Sequence, residues 1–166
     1  MKIVVLNGSP KGPTSVTMQY VGYMAKRHPE HELKVLHVAQ QVHGLAKDPG
    51  RLEAIADEIR GADGVLWAFP LYILLVSSQY KRFIELIGES GAAGAFAGRY
   101  AAALSTSINF YDNAAHAYIR GISEDLGMKY LGFYSANMHD LMRKPEQERL
   151  ELFAQSIFQG IANGES

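Results

Sequence analysis

Cysteine is absent from this chain of 166 residues, and its absence removes several kinds of chemistry. Disulfides, a cysteine-ligated iron–sulfur cluster, a thiol nucleophile and a thiolate zinc site are all excluded. An excess of charge of either sign is lacking too, because the net charge is −1 and the pI is about 6.6. The sequence therefore predicts neither a basic surface for nucleic acid nor a polybasic membrane patch.

Long hydrophobic runs are also missing. The longest, residues 65–76, is interrupted by Pro70 and is too short to span a bilayer. The N-terminal residues do not follow the charged-then-apolar pattern of a signal peptide. We therefore expect a cytoplasmic protein without membrane or nucleic-acid partners. The length is that of a single domain covering residues 1–166.

What the chain does contain is a regular alternation of short apolar segments with helical patterns. Five strands are predicted, and each is followed by a pattern of apolar residues at helical spacing. This alternation is typical of an α/β domain with a parallel sheet. Right-handed crossovers then favour a flavodoxin-like three-layer sandwich with the strand order 2-1-3-4-5. The strands are expected at residues 3–6, 33–38, 65–69, 99–104 and 130–136.

Several residues mark the ends of the predicted helices. Asp48 followed by Pro49 has the form of an N-cap with proline at the first helical position. Asp112 is expected to cap the fourth helix, and Gly127 to end it. The glycine-rich segment Gly88–Gly98 is expected to be a flexible connection, with a lid or a subunit contact as alternatives.

The loop after the first strand, Asn7–Thr17, has the composition of a phosphate site. Two glycines let the backbone turn tightly, and four hydroxyl side chains and one lysine surround them. The loop leads into a helix N-terminus, where free N–H groups favour a phosphate. Neither the Walker nor the Rossmann glycine pattern is present. The alternative is an ordinary strand-to-helix turn, whose serines and threonines only cap the helix.

Two further loops follow the third and fourth strands at the same edge of the sheet. The first, residues 69–75, is apolar throughout and suits one wall of a flat ring, or else a buried connection or dimer surface. The second, residues 106–112, combines hydrogen-bonding groups with two aromatic side chains. It could hold the edge of a ring through its backbone, or it could simply cap the next helix. His116, one turn later, is expected to be a packed or capping histidine rather than a ligand.

These loops resemble one known family along nearly the whole chain. GSPKGPTSVT, FPLYILLVSSQYKRFIEL and TSINFYDNAAHAYIRGISEDLGMKYLG are similar to motifs of the flavodoxin-like NADPH-dependent FMN reductase superfamily, including its iron–sulfur flavoprotein group. The cluster cysteines of that group are absent here. Val16 stands where the family often has asparagine, and Ile73 where it often has an aromatic residue.

The resemblance implies a set of flavin mononucleotide (FMN) contacts. The first loop corresponds to the family's phosphate contacts and the second to the segment beside the isoalloxazine ring. From its own residues, the third could hold the pyrimidine edge of that ring through its backbone N–H groups. No protein side chain is expected to act as a catalytic acid or base, because flavin N5 carries the hydride. No metal ligand is predicted. The expected cofactor-binding residues are Ser9, Lys11, Ser15, Val16, Thr17, Pro70, Leu71, Tyr72, Ile73, Thr106, Ser107, Asn109, Phe110 and Tyr111.

The expected function is that of an FMN-dependent NAD(P)H oxidoreductase. It would take hydride from a nicotinamide and pass electrons to a small-molecule acceptor such as a quinone or a flavin. A homodimer or tetramer is implied by the resemblance. Two alternatives stay open: an FMN-binding electron-transfer module served by a protein partner without NAD(P)H turnover, and a fold relative that binds another phosphate ligand or none.

Overall fold

The computed structural model describes residues 1–109 and 111–165. In that part of the chain, five strands form one sheet in the order β2-β1-β3-β4-β5, and all neighbouring strands are parallel. The predicted α/β fold and its strand order are confirmed. The strands are β1 (Lys2–Asn7), β2 (Glu32–Leu36), β3 (Gly64–Pro70), β4 (Tyr100–Ser107) and β5 (Lys129–Asn137).

Helices follow the strands and cover both faces of the sheet. The five predicted helices are present, and a further helix of four residues, α2, was not indicated by the sequence. None of the helices among the described residues is long and apolar enough to cross a membrane. The helices are α1 (Val16–Arg27), α2 (Val42–Leu45), α3 (Pro49–Arg60), α4 (Ser78–Glu89), α5 (Asn113–Asp125) and α6 (Lys144–Asn163).

Alternation along the strands divides the core into two layers. In β1, Val4 and Leu6 belong to the layer covered by α2, α3, α4 and α5, whereas Ile3 and Val5 belong to the layer covered by α1 and α6. Successive side chains of a strand point to opposite faces, so a strand buried on both faces is apolar at every position. This explains the continuous apolar run in β1 and the three-layer arrangement.

The segment Gly88–Gly98 is not the flexible connection that its composition suggests. Ala92–Ala95 forms a short 3₁₀ helix, and Ala92 and Ala95 are buried. Phe96 stacks on Trp67 of β3, with ring centroids 5.8 Å apart and planes 10° from parallel. The small residues therefore let the chain lie close against the core.

Local signals explain where α3 begins. Asp48 is its N-cap, and the carboxylate accepts hydrogen bonds from the backbone N–H groups of Gly50 and Arg51 at 3.0 and 3.4 Å. Pro49 occupies the first turn, where its missing N–H costs nothing. The predicted start of this helix is confirmed. The carboxyl ends of β1, β3 and β4 are neighbours, so the loops that follow them lie together at one edge of the sheet.

Candidate functional site

The three loops at this edge enclose a cavity of about 440 Å³. The first loop contributes one side, the loop after β3 a second, and the loop after β4 a third. The structure brings most of the predicted site residues together around this one space. Those that line it are Ser9, Lys11, Ser15, Val16, Pro70, Leu71, Tyr72, Ile73, Thr106, Ser107, Asn109 and Tyr111.

Two predicted site residues are not among them. Thr17 is fully buried behind the cavity, where its hydroxyl lies 2.7 Å from the hydroxyl of Thr106. Phe110 lies outside the described residues. Four residues outside the predicted set of cofactor contacts also line the cavity, namely Thr14, Leu74, Ile108 and Met138.

Asn7 organises the first loop. Its side-chain amide donates to the carbonyl of Gly12 at 3.1 Å, and its amide oxygen accepts from the backbone N–H of Ser9 at 3.0 Å. Gly12 has a φ of +61°, a left-handed conformation that glycine adopts without strain. Asn7 is fully buried, so these bonds form away from competing water. The loop is thereby held in shape before any ligand arrives.

A second contact sets the path of the chain at Gly8. A Cβ atom added there would lie 2.4 Å from the ring of Tyr80, so only glycine fits between β1 and α4. The hydroxyl of Ser77 donates to the carbonyl of Gly8 at 3.0 Å. Both contacts keep the start of the loop close to the helix that follows β3.

The hydroxyls of the first loop differ in what they have left to donate. Ser9 accepts from the backbone N–H of Lys11 at 3.3 Å, and Ser15 caps α1 by accepting from that of Met18, also at 3.3 Å. Each O–H hydrogen has no acceptor among the described residues and is available to a ligand. Thr14, in contrast, already donates to the carbonyl of Lys11 at 3.0 Å. Two buried hydroxyl donors beside a helix N-terminus suit an anion.

The loop after β3 makes a tight apolar turn. Tyr72 and Leu75 exchange backbone hydrogen bonds of 2.7 and 3.1 Å, and the two residues between them, Ile73 and Leu74, have φ values of +42° and +70°. Such values are uncommon for residues other than glycine and are strained for a β-branched side chain. Ile73 is 96% exposed, so neither burial nor packing compensates for this strain within the chain.

The loop after β4 is supported by the end of β5. The side chain of Asn137 donates to the carbonyl of Ile108 at 2.6 Å, and the backbone N–H of Met138 donates to that of Ser107 at 2.8 Å. The backbone N–H groups of Ile108 and Asn109 have no acceptor in the part of the chain that the structure describes. This loop therefore presents free donors as well as apolar side chains.

Asp112 does not cap α5 with its side chain, although it occupies the N-cap position. Its carboxylate instead turns into the protein, where Oδ2 accepts hydrogen bonds from the hydroxyls of Ser105 and Ser135, the latter at 2.5 Å. Nε2 of His116 lies 3.2 Å from the same oxygen and 2.9 Å from the hydroxyl of Ser105. The prediction of a side-chain cap is wrong, because the buried donors Ser105 and His116 and the half-buried Ser135 compete successfully for the carboxylate.

This cluster keeps a negative charge inside the protein. Burial opposes ionisation, but hydrogen bonds from His116, Ser105 and Ser135 outweigh it and lower the pKa of Asp112 to about 2. His116 is buried and stacks on Phe133 with ring centroids 4.1 Å apart, as expected for a packed histidine. On the described cavity surface itself, Lys11 is the one charged side chain.

A flavodoxin-like sheet whose first loop carries free hydroxyl donors beside a helix N-terminus, facing an apolar wall, is the arrangement expected of FMN-binding α/β proteins. The chain belongs to the NADPH-dependent FMN reductase family, whose model matches residues 1–140. It is therefore an oxidoreductase of the NAD(P)H-dependent FMN reductase type, with FMN as its cofactor. A comparison with curated protein sequences gave no match.

Solved structures show the same fold at low sequence identity. An NADH:FMN oxidoreductase in its apo form is 19% identical, with a TM-score of 0.76 over 98% of this chain and 89% of that one. An NAD(P)H:quinone oxidoreductase from Methanothermobacter marburgensis is 13% identical, with a TM-score of 0.70 over 93% and 94%. An FMN-dependent NADH-azoreductase from Bacillus anthracis, solved with FMN, is 13% identical, with a TM-score of 0.65 over 93% and 98%.

Proposed function

We propose that the cavity holds FMN, with its phosphate on the first loop and its ring between the other two loops. We further propose that the electron acceptor is a small molecule such as a quinone or a free flavin. The observation that carries the proposal is the pairing, in one cavity, of two unused hydroxyl donors with an apolar wall. A phosphate and a flat ring need these two surfaces.

On the phosphate side, the hydroxyls of Ser9 and Ser15 donate to phosphate oxygens, and Lys11 adds a positive charge at the rim. The N-terminus of α1 adds its dipole, worth about 0.3–1 kcal/mol when exposed and up to ~2 when partly buried. Hydrogen bonds to a charged group are stronger, at roughly 1.5–3 kcal/mol each. The serines therefore contribute more to phosphate affinity than the helix end does.

On the ring side, Leu71, Tyr72 and Ile73 cover one surface with apolar atoms and keep water away from it. The free N–H groups of Ile108 and Asn109 suit the carbonyl oxygens of a pyrimidine edge. When bound, FMN supplies the hydride and electron chemistry, so no acid or base from the chain is required. The chain's own residues bind the cofactor, orient it and exclude water.

The exposed apolar side chains beside the cavity bear on the acceptor. Tyr72, Leu74, Ile108 and Tyr111 are all exposed, and a flat apolar acceptor would bury part of their surface. Structures of quinone and azo reductases with this fold are consistent with such an acceptor. A cytoplasmic location and a homodimer or tetramer stay predictions from the sequence.

The decisive experiment is an anaerobic titration of the FMN-loaded protein. We expect NADH or NADPH to bleach the flavin absorbance, and added 1,4-naphthoquinone to restore it. Titrating NADH and NADPH separately identifies the donor. Bleaching by dithionite but by neither nicotinamide would contradict the proposal and favour an electron-transfer module. Protein that neither carries nor binds FMN would contradict the assignment of the cavity.

A further inference from the structure

Behind the loop after β4, Asp112 joins three elements through one oxygen atom. Ser105 of β4 and Ser135 of β5 are direct partners in the sheet register, and both hydroxyls donate to Oδ2. His116, one turn into α5, approaches the same oxygen. Ser105 lies near the end of β4, just before the loop of residues 106–112, and Asp112 is the last residue of that loop before α5. The one oxygen therefore ties the strand end to the start of the helix on either side of the loop.

From this geometry we propose that Asp112 is a positioning residue for the flavin ring, because its buried carboxylate fixes the loop that forms the ring-facing wall. The inference rests on the proposed function, since it assumes that the ring lies against this loop. Thr106 and Tyr111, the neighbours of Ser105 and Asp112 in the chain, both line the cavity. Asp112 itself does not line it, so it acts through the loop.

The way Asp112 is used supports a role beyond helix capping. Asp48 holds the same N-cap position on α3 and accepts from the backbone of its own helix. Asp112 makes no such bond and leaves the first turn of α5 without a side-chain cap. The side chain of Asp112 is only 4% exposed, and its carboxylate is bonded to the cluster rather than to the helix.

The charge has a second consequence for the ring. Hydrogen bonds from three donors keep the carboxylate ionised, and its one ion-pair contact among the described residues is with the imidazole of His116, 3.2 Å away. When that imidazole is neutral, the carboxylate leaves a negative charge behind the wall, and this charge opposes the gain of negative charge in front of it, since Coulomb interactions act over several ångströms in the protein interior. The wall therefore disfavours the reduced state of a ring bound against it.

The test compares Asp112→Asn with Asp48→Asn as a matched N-cap control. In Asp112→Asn, we expect the dissociation constants of FMN and riboflavin to rise by a similar factor, roughly tenfold, as for loss of a charge-assisted hydrogen-bonded anchor. The midpoint potential of the bound flavin should become more positive. Asp48→Asn should leave both affinities and the potential unchanged.

Because Asp112→Asn could fail to fold, Ser135→Ala provides a second variant. It removes one hydrogen-bond donor and keeps the charge of Asp112. The affinities for FMN and riboflavin should therefore fall by less than in Asp112→Asn, and the midpoint potential should not become more positive. Folded variants of Asp112 and Ser135 with wild-type flavin affinities and midpoint potential would overturn the inference. A loss of flavin affinity in Asp48→Asn as large as that in Asp112→Asn would overturn it too. If the wild-type protein bound no FMN, the proposed function would fail first, and the two failures are thus distinguishable.

Discussion

The hydroxyl groups of Thr17 and Thr106 lie 2.7 Å apart, and both side chains are buried. Thr17 belongs to the first turn of α1 and Thr106 to the end of β4, so this hydrogen bond joins the first loop to the third. Only Thr106 lines the cavity. Thr17 therefore holds two walls of the cavity in a fixed relation without lining the cavity itself.

Replacing Thr17 by valine tests this link. Valine is close to threonine in shape but lacks the hydroxyl, so Thr106 is left buried without its partner. We expect the free energy of unfolding to fall by about 1–3 kcal/mol, the usual cost of an unsatisfied buried group. Urea denaturation followed by the fluorescence of Trp67, the single tryptophan, measures it. The double variant Thr17→Val/Thr106→Val should lose less than the sum of the single variants, and additive losses would contradict the link.

Substitutions in the first loop test the phosphate site. Ser9→Ala and Ser15→Ala should each raise the dissociation constant of FMN roughly tenfold or more, the effect of one hydrogen bond to a charged group. Riboflavin lacks the phosphate, so its affinity should change much less. Quenching of flavin fluorescence measures both constants. Ser15 also caps α1, so Asp48→Ala on α3 serves as the control for a lost cap. Equal losses for FMN and riboflavin would show that these hydroxyls do not hold the phosphate.

Two glycines should respond in opposite ways to alanine. In Gly8→Ala the new methyl group collides with the ring of Tyr80, which is buried and cannot yield, so stability and FMN affinity should both fall. In Gly22→Ala, inside α1, the methyl group meets no atom within 4 Å beyond the neighbouring backbone of its own helix. Alanine is the better helix former by about 0.5–1 kcal/mol, so this variant should be more stable. Urea midpoints of the two variants give the comparison. A wild-type midpoint in Gly8→Ala would contradict the close approach.

Acid stability should depend on Asp112. Its pKa is about 2 in the folded protein, below the ordinary value of 3.8, so folding favours the ionised form. The stabilisation is complete above about pH 4 and is lost as the pH falls from there through 2. In this range the unfolded state binds a proton on Asp112 more readily than the folded state does, so acid shifts the equilibrium towards unfolding. Thermal unfolding midpoints of the wild type should fall across this window more steeply than those of Asp112→Asn. Parallel curves would contradict the assignment.

The order of the elements could be predicted from the sequence because it depends on local patterns. Apolar runs marked the buried strands, and Asp48 with Pro49 marked the start of α3 through bonds made within four residues. The first loop was likewise evident, since its glycines and hydroxyls are contiguous. Residues of the apolar wall were found because an exposed loop rarely contains so many large side chains.

The errors occurred where distant residues decide the outcome. Asp112 was assigned to its own helix, although Ser105 and Ser135, brought beside it by the sheet, offer better donors. Gly88–Gly98 was expected to be flexible because its composition does not reveal the stacking of Phe96 on Trp67. Met138 was missed because it enters the site only after β5 joins the edge of the sheet.

The sequence by itself determined the class of fold, the position of the first loop and the family, because periodicity and contiguous motifs are properties of the chain. Only the tertiary structure decided which hydroxyls are free to donate, as for Ser9 and Ser15, and which are already used, as for Thr17. It also turned Asp112 away from its helix. Hydrogen-bond partners are chosen by distance in space, and that distance is set by the packing of the whole sheet.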